Sequence, residues 1–218
     1  MDFENYYNNR NNQVGDIINT EKPKYVFMLE SPHTDELWSN VPIAGSSGKA
    51  MTKCLCANSE VPFGLLVKRE NIPINIINVC IVPLQKTKCS NQTDDILDFN
   101  MLKPVRMNYQ SYGRHRKQEI NDIEQFIFKK FEERIYSYKF LQSTKIFLCG
   151  KFVQTYYQKY CAETGIKNRG IKFNHPSYGG WTYPKQNDKM KEWIPIIWQD
   201  INEMMRLSYG QIQTCIEL

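Results

Sequence analysis

A chain of 218 residues with 41% hydrophobic and 13% aromatic residues can bury the core of one α/β domain, which excludes a disordered protein. No apolar window is long enough to span a bilayer, and the opening Met1-Asp2-Phe3-Glu4-Asn5 has neither region of a secretion signal, so a cytoplasmic protein without a membrane partner is expected. The net charge of +5 permits a polyanionic partner without demanding one.

In chain order, Val14, Ile17 and Ile18 recur at helical spacing and predict a short amphipathic helix within the first 20 residues. The apolar run that follows Pro23 predicts a first strand over 24–29. It delivers Glu30-Ser31-Pro32-His33-Thr34-Asp35-Glu36-Leu37 at a strand's carboxyl end, where ligands bind in open α/β sheets. Gly45 and Gly48 then allow a tight loop, Ser46 or Ser47 can cap a helix continued by Ala50, Met51 and Leu55, and that helix N-terminus suits negative charge. This is not a P-loop, because Ile43 stands where the first Gly belongs and Ala50 where Ser or Thr should follow Lys49.

The β-rich run between Pro73 and Pro83 predicts a second central strand over 74–82, interrupted by Asn75 and Asn78. In a strand buried on both faces the Asn78 amide needs a partner, either a neighbouring loop or a ligand's edge. From Gln85 to Lys117 regular periodicity fails. There Lys86, Lys88, Lys103, Arg106, Arg114, Arg116 and Lys117 interleave with Tyr109, Tyr112 and His115, which suits either a solvated loop or a phosphate backbone with unstacked bases.

Ile120, Ile123, Ile127, Phe131 and Ile135 predict a helix over 118–138, followed by a strand over 145–149 and a helix bearing Phe152, Val153, Tyr156, Tyr157 and Tyr160 on one side. A fourth strand over 170–173 delivers Asn174-His175-Pro176-Ser177-Tyr178-Gly179-Gly180-Trp181, and a last helix turns Trp193, Ile197, Ile201 and Met204 inward. Of seven cysteines, Cys54 and Cys56 have the wrong spacing for a zinc knuckle and the others are scattered, so core positions are expected rather than a disulfide framework.

These pieces resemble the uracil-DNA glycosylase superfamily over most of the chain, in the right order. Leu29-Glu30-Ser31-Pro32-His33 is similar to its first motif, a Gly followed by Glu-Ala-Pro-Gly or Gln-Asp-Pro-Tyr. Asp35-Glu36 and the run from Pro42 to Gly48 resemble the acidic pair and Pro-Phe-x-Gly-x-x-Gly loop of its iron-sulfur branch. Asn78 looks like the base-reading Asn, and His175-Pro176-Ser177 matches the His-Pro-Ser motif unaltered.

The resemblance implies a three-layer α/β/α sandwich with a short, mostly parallel sheet, and a monofunctional DNA glycosylase acting by base flipping. It implies that Glu30, Asp35 or Glu36 supplies an anion near the sugar and that His175 donates to the leaving base. Asn78, His33 and Ile43 would border the base. Ser46, Ser47, Gly48, Lys49, Ser177, Arg114 and Arg116 would hold DNA, and Tyr178 and Trp181 would stand where the family inserts a wedge.

The departures are Ser31 for the catalytic Asp of one branch, Leu29 for Gly, His33 for the residue bordering the ring, and Ile43 for the stacking Phe. No Cys precedes the first motif, so no iron-sulfur cluster, metal or other cofactor is expected. Loss of the stacking ring and steric gate points away from strict uracil selection. Branches resembling this one act on bulky pyrimidines such as glucosylated 5-hydroxymethylcytosine of phage DNA, and the 85–117 insertion would shape such a pocket. A monomer is expected, with DNA as partner. Uracil excision and non-catalytic nucleic-acid binding are the alternatives.

Overall fold

The apolar runs become strands because they can be buried on both faces. A computed structural model of the chain describes residues 2–33, 36–56, 60–85, 99–108, 112–177, 179–181 and 187–216, the last helix with side chains only to 206. The strands are β1 (Ile17–Ile18), β2 (Tyr25–Leu29), β3 (Ile74–Asn78), β4 (Lys145–Cys149) and β5 (Gly170–Phe173). They form one five-stranded sheet in the order β1-β3-β2-β4-β5, parallel throughout except for β1.

Successive side chains of β2 face opposite layers. Val26 and Met28 join a core with helices α1 (Phe3–Asn8), α5 (Phe99–Met107), α6 (Gln118–Tyr138) and α7 (Lys151–Thr164). Tyr25, Phe27 and Leu29 join a second core with α3 (Ser46–Leu55), α4 (Phe63–Arg69) and α8 (Asp188–Ile216). The result is the expected three-layer α/β/α sandwich. A further short helix, α2 (Glu36–Ser39), follows the loop after β2. Among the described residues no helix is long and apolar enough to cross a membrane, and the five described cysteines are free.

Three segments differ from the sequence expectation. Residues 14–18 form no helix. The Val14 N–H donates to Ile81 O and β1 pairs antiparallel with β3, while a helix and a 3-10 turn occupy 3–12 instead. The expected strand 74–82 stops at Asn78, because the carbonyls of Asn78 and Val79 are taken by the Arg134 guanidinium rather than by a neighbouring strand. Within 85–117, where no periodicity was legible, α5 forms despite Pro104, burying Leu102 and Val105 one turn apart.

The Asn75 amide is structural. Its Oδ1 accepts from the backbone of Asn19 and Thr20, and its Nδ2 donates to Thr20 O, tying down the approach to β2. Asn78 has a different environment.

Candidate functional site

Sheet order puts β3 and β4 on opposite sides of β2, so the chain changes winding direction at β2 and leaves a crevice at the strands' carboxyl ends. Glu30 leaves β2, Asn78 ends β3, Gly150 follows β4 and His175 follows β5, all at that edge. A cleft of about 510 Å³ opens there, with Glu30, His33, Ser46, Ser47, His175 and Ser177 among its walls. It continues into a recess of about 20 Å³ that Asn78, Ser31, Ile43 and Glu36 help to line.

Glu30 is held from both ends. Its carbonyl accepts from Cys80 N–H, extending the pairing of β2 with β3, and its carboxylate receives Arg106 Nε at 2.6 Å. The two side chains are only 13% and 20% exposed, so the bond is a short, charge-assisted one in a partly water-excluded cleft. Beside them His33 Nε2 lies 2.6 Å from Gln85 Nε2.

The His175 ring is fixed by its own turn. The Ser177 backbone N–H donates to Nδ1 at 3.2 Å and the Ser177 hydroxyl lies 2.7 Å from it, so the ring hydrogen sits on Nε2. Burial lowers the pKa below its usual value; the Glu30 carboxylate opposes this shift, while His33 and Arg106 add to it. His175 is therefore a neutral hydrogen-bond donor at neutral pH.

Asn78 is 1% exposed, and its Nδ2 has no hydrogen-bond partner. Ser31 Oγ, also in the recess, is likewise buried without one. Native proteins rarely leave such groups unpaired, because each orphan costs about 1–3 kcal/mol. The backbone around Asn78 is fully engaged: its N–H donates to Asp16 Oδ1, and Arg134 bonds its carbonyl while pairing with Asp16 Oδ2 at 2.5 Å. Tyr138 donates to the same carboxylate oxygen. A rigid clamp thus holds a side chain whose own donor is unspent.

Glu36 lies beneath the loop that follows α2. Burial pushes its carboxyl up to about 7, against the backbone N–H groups of Ile43, His33, Gly45 and Ala44, which favour the ionised form. Ile43 sits at φ 55, an outlier for a β-branched residue. Its carbonyl is pressed so close to α3 that a Cβ on Gly48 would lie 1.9 Å from it. Gly48 is therefore a packing requirement. Glu36 acts first as the fastener of this loop, and among the described residues Glu30 is the carboxylate that lines the open cleft.

No protein-family model matches the sequence, and no curated protein is similar to it. The site therefore stands on its geometry.

Of the residues singled out from sequence, the structure brings Glu30, His33, Ser46, Ser47, His175 and Ser177 to the cleft, and Asn78, Ile43 and Glu36 to the recess. Gly48 supports the wall between them. Lys49, Arg114 and Arg116 are exposed and do not line the cleft. Asp35 and Tyr178 lie outside the described residues, as do Lys86, Lys88 and Tyr109.

The expectation for Trp181 is corrected. It is 0% exposed, packs against Phe27 and Phe173, and donates its indole N–H to Asn174 O, so it is a core residue and no wedge. Three polar side chains of the cleft and recess were not singled out as site residues: Arg106, Gln85 and Ser31. Ser31, inside the first motif, carried a signal that could have placed it, and Arg106 was visible only as one of a basic series.

Proposed function

We propose that this chain is a monofunctional DNA glycosylase, acting on a flipped-out base in the cytoplasm. The observation that carries the reading is that Glu30 and His175 face one cleft whose floor holds the buried, unpartnered Asn78 Nδ2. Breaking an N-glycosidic bond sends the electron pair out with the base and leaves positive charge on the deoxyribose. The site supplies a matching pair: the Glu30 carboxylate toward the sugar and the neutral His175 Nε2–H toward a carbonyl of the departing base. Water adds at C1′, oriented by Glu30, and its proton is released to that carboxylate or to solvent.

The sizes favour a particular pose. The recess of about 20 Å³ takes one water-sized group, which a ring carbonyl oxygen is, and Asn78 Nδ2 and Ser31 Oγ are the donors to meet it. The outer cleft, at about 510 Å³, leaves space for substituents on the ring. With Ile43 in place of a stacking ring, this supports an enlarged pyrimidine such as glucosylated 5-hydroxymethylcytosine of phage DNA, in a defence role, with uracil as the second substrate to try.

Glu30→Gln tests the reaction. Base release should fall by about 10²-fold or more while DNA binding is retained; equal turnover in both proteins would remove Glu30 from the chemistry.

A further inference from the structure

The cleft must receive a polyanion if the nucleic-acid reading holds, yet Lys49, Arg114 and Arg116, expected from sequence to hold DNA, do not line it. Among the described residues Arg106 is the only Lys or Arg in its walls. It comes from α5, the helix inside the 85–117 segment, and reaches Glu30 across the cleft. Only its Nε is used there. Among the described residues its terminal amino groups make no hydrogen bond to protein. A guanidinium has a fixed planar fork, and two terminal amino groups facing a cleft match two phosphate oxygens.

A purely structural account of the pair is weak. Partly buried ion pairs add little net stability, because desolvating both charges offsets their attraction. The pair sits beside the neutral imidazole of His175 and opposite the first turn of α3. That helix's N-cap, Gly45, provides no side-chain acceptor for the first-turn N–H groups, and Ser46 and Ser47 bring hydroxyls to the same wall. The first turn of α3, with no side-chain bond at its N-cap, thus adds partial positive charge to that of the Arg106 guanidinium.

We propose that Arg106 is the phosphate receptor of the cleft. Its terminal amino groups take a phosphodiester flanking the target nucleotide while its Nε keeps hold of Glu30. One rigid side chain then sets the distance between the phosphate and the carboxylate, and so positions Glu30 under the sugar. Arg106 is a positioning and binding residue, and no bond is made or broken at it. This inference rests on the nucleic-acid reading above, but not on base release.

The test uses the full chain with two probes, inorganic phosphate and an unmodified single-stranded oligodeoxynucleotide. Arg106→Gln should weaken phosphate binding on the order of tenfold or more. It should also lower the slope of log K against log salt for the oligonucleotide by about 0.7, the loss of one phosphate contact. Glu30→Gln should bind phosphate as well as or better than the parent. In the parent protein, the Arg106 Nε–H resonance should shift when phosphate is added, a readout that needs no variant to fold. An unmoved resonance, or unchanged phosphate affinity and salt slope in Arg106→Gln, would overturn the assignment. Phosphate binding through Arg106 without release of any base would refute the glycosylase reading and leave the receptor standing; base release with an unchanged salt slope would do the reverse.

Discussion

Gly150 lies directly against the His175 ring: a Cβ at position 150 would sit 3.0 Å from Cδ2 and 3.2 Å from the His175 Cβ. Gly150 also adopts φ 109, which side-chain-bearing residues rarely occupy. Gly150→Ala is therefore expected to cost about 1–3 kcal/mol and to push the imidazole away from the cleft. Base release should fall by more than the stability loss explains. Chemical denaturation and a His175 ring NMR spectrum check the two effects separately, and an unmoved ring would contradict the close contact.

Asn78→Leu separates function from stability. Replacing a buried side chain whose Nδ2 is unpartnered with an apolar group of similar size should leave the unfolding free energy unchanged or raise it by about 1 kcal/mol. Base release should be lost, because the recess keeps only the Ser31 hydroxyl of its two unpartnered donors. A large destabilisation in urea titration would mean that the amide is satisfied within the fold.

The clamp behind Asn78 behaves in the opposite way. Arg134→Ala leaves Asp16 and two strand-end carbonyls without their partner, so a loss of about 3–5 kcal/mol is expected. Thermal or urea unfolding checks it.

Glu36 gives the protein a pH dependence of definite sign. Its folded-state pKa of about 7 is raised above the ordinary 4.5, so the native state binds its proton more tightly than the unfolded chain. The stability this contributes is fully present below pH 4.5 and is lost as the pH rises through about 7. Relative to Glu36→Gln, which stays neutral, the parent should lose about 3 kcal/mol across that window. Parallel stability curves for the two proteins would contradict the burial of this carboxyl.

Trp181→Ala should cost about 3–5 kcal/mol, as removal of a fully buried ring does. A wedge residue would instead lose DNA distortion with little change in stability, and melting temperature tells the two apart.

Strands β2 and β4 and helix α6 were legible because their apolar period is set by burial against the layers, and nothing else competes for those residues. Glu30 and His175 were legible because each follows such a run, and Asn78 because it is a polar residue inside one. Ile17 and Ile18 misled because two residues fit a helical period as well as an edge strand, and the partner that decides, β3, lies far along the chain. Helix α5 was hidden by Pro104 and by a buried stripe reduced to Leu102 and Val105. Arg106 could not be told from its basic neighbours, since what distinguishes it is a contact with a residue 76 positions away. Trp181 follows a motif that suggested exposure, yet its indole N–H finds a carbonyl in its own turn and the ring is drawn into the core.

Mass-spectrometric detection of free base bears most directly on the central claim. The protein would be incubated with three DNAs: unmodified, uracil-containing, and phage DNA carrying glucosylated 5-hydroxymethylcytosine. The expected result is release of the bulky pyrimidine by the parent protein, none from unmodified DNA, and loss of release in Glu30→Gln. No base released from any of the three, with DNA binding intact, would contradict it and leave a nucleic-acid-binding module on the same fold.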